Sequence, residues 1–231
     1  MLIKQKEGLI WYEFEILQPH HVCHGVFPKH PEGASCLFYQ KRIKEFLGLT
    51  DFVFGQQVHH DQIQEIGQIP LSEAKICDGL FTSMPHIGLG VYHADCQAAL
   101  FYDPKKKVVA NIHCGWRGNQ QNILGKAVKI LSETKGCLAQ DLIVCISPSL
   151  GPNRSQFLDY EKMWPPIFHS YQFKPYHFDL WKMSQDQLTE SGVLKQNIEI
   201  AKMCTFEEEK DFYSYRRDRT HKRNFSMIAL I

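Results

Sequence analysis

Residues 86–133, HIGLGVYHADCQAALFYDPKKKVVANIHCGWRGNQQNILGKAVKILSE, alternate apolar runs with turn-forming residues in an order that few architectures accept. They read as two apolar strands joined by the turn DPKKK, then a glycine-punctuated loop, then a helix. The helix is expected to begin near Asn119, whose side chain can accept from the free amides of a first turn. Ile123, Ala127, Ile130 and Leu131 form its apolar face. A further strand, DLIVCISPS, follows at 141–149.

On the N-terminal side, CLFYQKRIKEFLGL (36–49) carries Leu37, Phe38, Ile43, Phe46 and Leu47 at helical spacing, closed by Gly48. A strand is expected around QQVHHDQI (56–63). Downstream, HFDLWKMSQDQLTESGV predicts a helix stopped by Gly192, NIEIAKMC a short alternating strand, and FSMIALI a C-terminal strand. Short turns between strands exclude a purely parallel sheet, so the expected class is α+β, with layered mixed β-sheets covered by helices. No repeat or linker interrupts the 231 residues, and a single domain over 1–231 is expected.

The composition, 44% hydrophobic and 22% charged with a formal net charge of +1, gives no electrostatic footprint for nucleic acid or anionic lipid. Small-molecule chemistry is the better expectation. Glu13 and Glu15 break the N-terminal apolar run, which leaves neither a signal peptide nor a membrane span, and a cytoplasmic location follows. The eight scattered cysteines read as reduced core thiols or ligands rather than a disulfide framework.

His59 in QVHH, Cys96 in HADC and His113 in IHCGWRG are the strongest ligand candidates. Their wide separation excludes a zinc-finger knuckle, whereas three dispersed ligands gathered by folding are how catalytic zinc is usually held. Imidazole with thiolate suits zinc or copper better than magnesium or calcium. Two glycines beside His113, Gly115 and Gly118, let backbone approach a ligand closely. His60 is expected to point away from His59 on a regular strand, and the cluster His20, His21, Cys23 and His24 reads as a solvated loop.

The strings QVHH, DGLFTS, ADC, IHCGWRG, NIEIAKMCT and FYSYRRD, in this order and at these separations, closely resemble the laccase-domain or multicopper polyphenol oxidoreductase family, also described as bacterial purine nucleoside phosphorylases. The resemblance implies a two-histidine, one-cysteine zinc site at His59, Cys96 and His113. It also implies a layered fold similar to that of the toxin-like cysteine hydrolases, and phosphorolysis or deamination of adenosine, inosine and methylthioadenosine. Purine nucleoside and phosphate are the partners it implies. The chain departs from the family pattern at Pro28 and Lys29, where a Thr-Arg pair is usual, and at His93, Ala98, Cys114 and the segment RRDRTHKR. Lys29 keeps the charge of that arginine for substrate binding but loses its bidentate fork.

Further roles follow from position. Arg117, just ahead of a helix start, could hold phosphate, or could be a surface arginine paired with an acid. Asp95, beside the thiolate, is either a general acid or base or a residue that orients a ligand. On a regular strand it faces away from Cys96 and reaches the metal only if the strand bends or ends there. Gln57 shares a strand face with His59 and could bond a base or ribose, or be an ordinary polar strand residue. Arg216 and Arg217 are either substrate-facing or salt-bridged.

Three other functions compete. A copper oxidase would use the same two-His, one-Cys set, although no two histidines lie two residues apart as trinuclear copper clusters commonly require. A cysteine hydrolase, such as an amidase editing cell-wall precursors, would use Cys96 as nucleophile and His113 as base. A zinc-stabilised binding module would need a fourth good ligand.

Overall fold

The computed structural model describes residues 1–29, 36–68 and 76–231, with the side chains of 36–39 left aside. Two six-stranded sheets face each other. The first contains β1 (Leu2–Lys6), β2 (Leu9–Glu13), β3 (Val22–Phe27), β4 (Asp51–Phe54), β7 (Ile87–His93) and β14 (Asn224–Leu230). The second contains β5 (Ile63–Glu65), β6 (Gly79–Thr82), β8 (Gln97–Asp103), β9 (Val108–Cys114), β10 (Ile143–Ile146) and β13 (Ile198–Ile200). A separate ribbon pairs β11 (Gln172–Lys174) with β12 (His177–Phe178). Most neighbours are antiparallel, but β4 with β7, β5 with β6 and β10 with β13 are parallel, so both large sheets are mixed.

Alternation along the central strands explains the layering. On β8, Ala98, Leu100 and Tyr102 face the first sheet, while Ala99 and Phe101 face the other way. Both faces are apolar because both are covered, as fully buried strands require. The outer face packs on α3 (Ile123–Lys135) through Ile123, Leu124, Ala127 and Leu131. Leu188 of α5 (Leu180–Glu190) joins the same cluster. Beyond the first sheet lies α1 (Cys36–Leu47), whose Ile43 packs with Phe27, Phe225 and Met227. The order helix, sheet, sheet, helix is the layered α+β architecture expected. Leu37 and Phe38 of the α1 stripe lie outside the described side chains.

Three local expectations need correction. The apolar run 87–103 is two strands in different sheets: β7 ends at His93, the chain crosses between sheets through Ala94, Asp95 and Cys96, and β8 then pairs with β9 across DPKKK. Asp103 Oδ1 accepts from the amides of Lys105 and Lys106 to set that turn. The cap of the long helix is Asn122, not Asn119, since its side chain accepts from the Gly125 amide. Asn119 instead lies buried in the short helix α2 (Trp116–Gln120), where its Oδ1 accepts from Ser184 Oγ.

The third correction concerns 56–63. Only Gln56 bridges to a neighbour there, and regular pairing resumes at Ile63. His59 sits at φ +61, a left-handed conformation that ends any strand. Gln57, His59 and His60 therefore do not follow strand alternation, and neither a shared face of Gln57 with His59 nor an opposite face of His60 is set by it. Elsewhere α5 starts at the cap Asp179, which accepts from the Lys182 amide, and its chain turns away through Gly192 at φ +94. Two single turns of helix, α4 (Tyr160–Met163) and α6 (Tyr215–Asp218), complete the fold.

Candidate metal centre

The crossover between the sheets brings Cys96 to the end of β9, where His113 points from the inter-sheet side. The loop between β4 and β5 lays His59 over both. One ligand atom from each of the three lies within 4.8 Å of the others, and this is the one cluster of at least three such ligands among the described residues. The two imidazoles meet edge to face, with ring centres 4.8 Å apart and planes at 87°. His113 is buried, Cys96 half-buried and His59 exposed, so the cluster opens to solvent on the His59 side. That is the geometry of three protein ligands with room for a fourth, non-protein one.

The donors fit a soft divalent ion. Burial alone would push the Cys96 thiol up, but the charge and hydrogen bond of His113, with those of His59, reverse this and bring it down to about 6. The thiolate is the form that binds metal. His113 Nδ1 lies 2.7 Å from Asp78 Oδ1, which leaves Nε2 for the cluster. Gly115 closes the floor: a Cβ there would stand 3.0 Å from Cys96 Sγ and 3.4 Å from His59 Cδ2. Glycine spares the cluster a contact that would push Cys96 Sγ aside by a few tenths of an ångström.

Around this centre the other candidates are distributed unevenly. Asp95 ends the regular run at φ +87, and its oxygens accept from Thr205 Oγ1 (2.8 Å) and the Arg216 amide (2.6 Å). Arg117 is exposed, in the first turn of α2, with its guanidinium carbon 4.2 Å from the Trp116 ring centre. Gln57 is committed to Tyr92, donating to its carbonyl (2.8 Å) and accepting from its amide (2.9 Å). Lys29 donates to the Glu209 carbonyl and lies over the Tyr213 ring.

Arg217 braces its own turn, donating to the carbonyls of Thr205, Phe206 and Phe212 and pairing with Asp218. Arg216 donates to the Gln156 carbonyl. Of the N-terminal histidine cluster, His24 is buried with Nε2 accepting from the Phe14 amide, a core role rather than a ligand's. Sequence reading gives Asp78 no role, although it touches more of the site than any other acid. Its sequence signal is its place at the head of the family-like string DGLFTS, a lone carboxylate before an apolar run.

The family model described as multi-copper polyphenol oxidoreductase laccase matches residues 38–231. A Synechocystis protein named purine nucleoside phosphorylase slr1573 is 32% identical, over 75% of this chain and 78% of its own length. Bacillus subtilis purine nucleoside phosphorylase YlmD is 28% identical, over 82% and 74%. Two crystal structures share the fold: Bacillus licheniformis hypothetical protein YfiH, with a TM-score of 0.84, 23% identity and 99% of both chains covered, and YlmD from Geobacillus stearothermophilus, with 0.83, 24% and 99% and 98%. The family match over most of the chain and the Synechocystis relative lead to one assignment: the chain belongs to the multi-copper polyphenol oxidoreductase laccase family.

Proposed function

We propose that this chain is a zinc-dependent purine nucleoside enzyme, cleaving adenosine, inosine or methylthioadenosine by phosphorolysis and deaminating adenosine. The observation that carries the proposal is the convergence of His59, Cys96 and His113 at the end of the inter-sheet layer. The names of the relatives support the nucleoside, and the nitrogen and sulfur donors support zinc. Bound zinc supplies Lewis acidity. A cytoplasmic location is part of the proposal, and no helix among the described residues is long and apolar enough to cross a membrane.

In this reading Arg117 binds phosphate. It is exposed beside the ligands' own strand end, and no ion pair engages it among the described residues. Each Asp95 oxygen already accepts from Thr205 or Arg216, which supports a part in holding the Cys96 segment. Gln57 and Lys29 hold backbone partners and keep further donors for a substrate, one on the Gln57 amide and two on the Lys29 ammonium.

A second reading draws on the Asp78, His113, Cys96 line. A thiolate beside an imidazole that is itself held by a carboxylate matches the arrangement of cysteine hydrolases. Metal analysis separates the two. Protein purified without added metal should hold about one zinc per chain, and adenosine should yield adenine only when phosphate is present. Full activity in zinc-free protein would favour the hydrolase, and several coppers per chain an oxidase. Arg117→Ala should weaken phosphorolysis while leaving deamination and zinc in place, because guanidinium removal lowers anion affinity alone.

A further inference from the structure

We propose that Asp78 is the positioning residue that assembles the metal centre, fixing the tautomer of His113 and the backbone of the loop that carries His59. This rests on the metal reading above. Four donors converge on one buried carboxylate. Oδ1 accepts from His113 Nδ1 at 2.7 Å and from the His59 amide at 2.9 Å. Oδ2 accepts from the amides of Val58 at 3.1 Å and His60 at 2.9 Å. The side chain is fully enclosed, so no water competes for these sites.

The consequences are physical. A proton held on Nδ1 leaves Nε2 of His113 as the lone-pair nitrogen for a metal. Three successive amides turned toward one carboxylate form a nest that ties down a stretch with no strand pairing of its own. That stretch is otherwise anchored by Gln57 on Tyr92 and by the Gln56 carbonyl on the Cys77 amide. Asp78 stands on rigid ground: its amide donates to the Gln62 carbonyl, its carbonyl accepts from the His113 amide, and β6 begins at the next residue. One acid thus couples two ligands that are 54 positions apart in the chain, His59 and His113.

Asn is the informative replacement because every partner of Asp78 is a donor. Whichever way the amide is placed, its NH2 group meets two donors. Facing Oδ2's partners, it expels the Val58 and His60 amides and frees the loop. Facing Oδ1's partners, it forces the His113 proton onto Nε2, the metal's position.

The test is zinc affinity, measured with zinc alone by competition with a chromophoric chelator on folded wild type, Asp78→Asn and Asp103→Asn. Asp103 is another buried acid accepting backbone amides, at the opposite end of β8 from Cys96. Asp78→Asn should bind zinc about 10- to 100-fold more weakly, the usual loss for a carboxylate behind a ligand histidine. Asp103→Asn should lose stability with zinc affinity unchanged. Nitrogen NMR of the wild-type zinc form should show the His113 proton on Nδ1, a readout that survives if Asp78→Asn does not fold. Equal zinc affinity in Asp78→Asn, or a proton on Nε2 in the wild type, overturns the assignment. Wild type that takes up no zinc overturns the metal reading itself, and this assignment with it.

Discussion

Cys96 moves against Cys23, Cys114, Cys137 and Cys145. Burial and nearby acids push Cys23 up to about 11 and Cys137 up to about 12, and burial drives Cys114 and Cys145 upward as well, while Cys96 falls to about 6. In metal-free protein, thiolate absorbance should therefore show a step centred near pH 6 that disappears in Cys96→Ala. The Cys96 thiolate and the His113 imidazolium, raised to about 9 by that thiolate and Asp78, stabilise the folded state between about pH 6 and about pH 9, and the contribution is lost as pH falls through about 6. Zinc loading should abolish the step, because the bound sulfur stays deprotonated. A step near pH 9 instead would mean that the imidazoles do not hold the thiolate.

At the scale of an element, the crossover from β7 to β8 is the piece on which the site depends. It carries Asp95 at φ +87, a conformation that strains a non-glycine residue by roughly 1–3 kcal/mol and persists only when surroundings hold it. Thr205 and Arg216 do the holding, from segments far along the chain, through hydrogen bonds to a carboxylate. Thr205→Val keeps the volume of this buried side chain and removes the donor. Urea unfolding should show a loss of about 1–3 kcal/mol, the range for a hydrogen bond to a charged group. Zinc affinity should fall with it if the turn aims Cys96. An unchanged midpoint would assign the brace to Arg216 alone.

For the molecule as a whole, the layer between the two sheets is the main store of stability and the platform under the ligands. Leu100 is fully buried in it, on the strand between the crossover and the DPKKK turn. Leu100→Ala should destabilise by about 2–5 kcal/mol, through lost transfer energy and the cavity left behind. The urea slope should be unchanged and zinc stoichiometry intact in the folded fraction. A much smaller loss would mean that the layer collapses around the gap, which close packing of two rigid sheets argues against.

The sequence by itself determined the parts that local pattern encodes. Apolar and β-favouring runs marked β8, β9, β10 and β14, helical spacing marked α1, α3 and α5, and residue chemistry together with the family resemblance singled out His59, Cys96 and His113. Periodicity reports which faces of an element are buried, but not against what. Hence 87–103 read as one strand when it is two in different sheets, and 56–63 read as a strand when Asp78 bends it into a loop. Only the tertiary structure decided that Asp78 joins His59 to His113, across 19 and 35 positions of chain, and that Gln57 serves Tyr92. Such contacts are set by the packing of whole sheets, which brings donors to an acceptor from elements whose own sequences hold no trace of the partner.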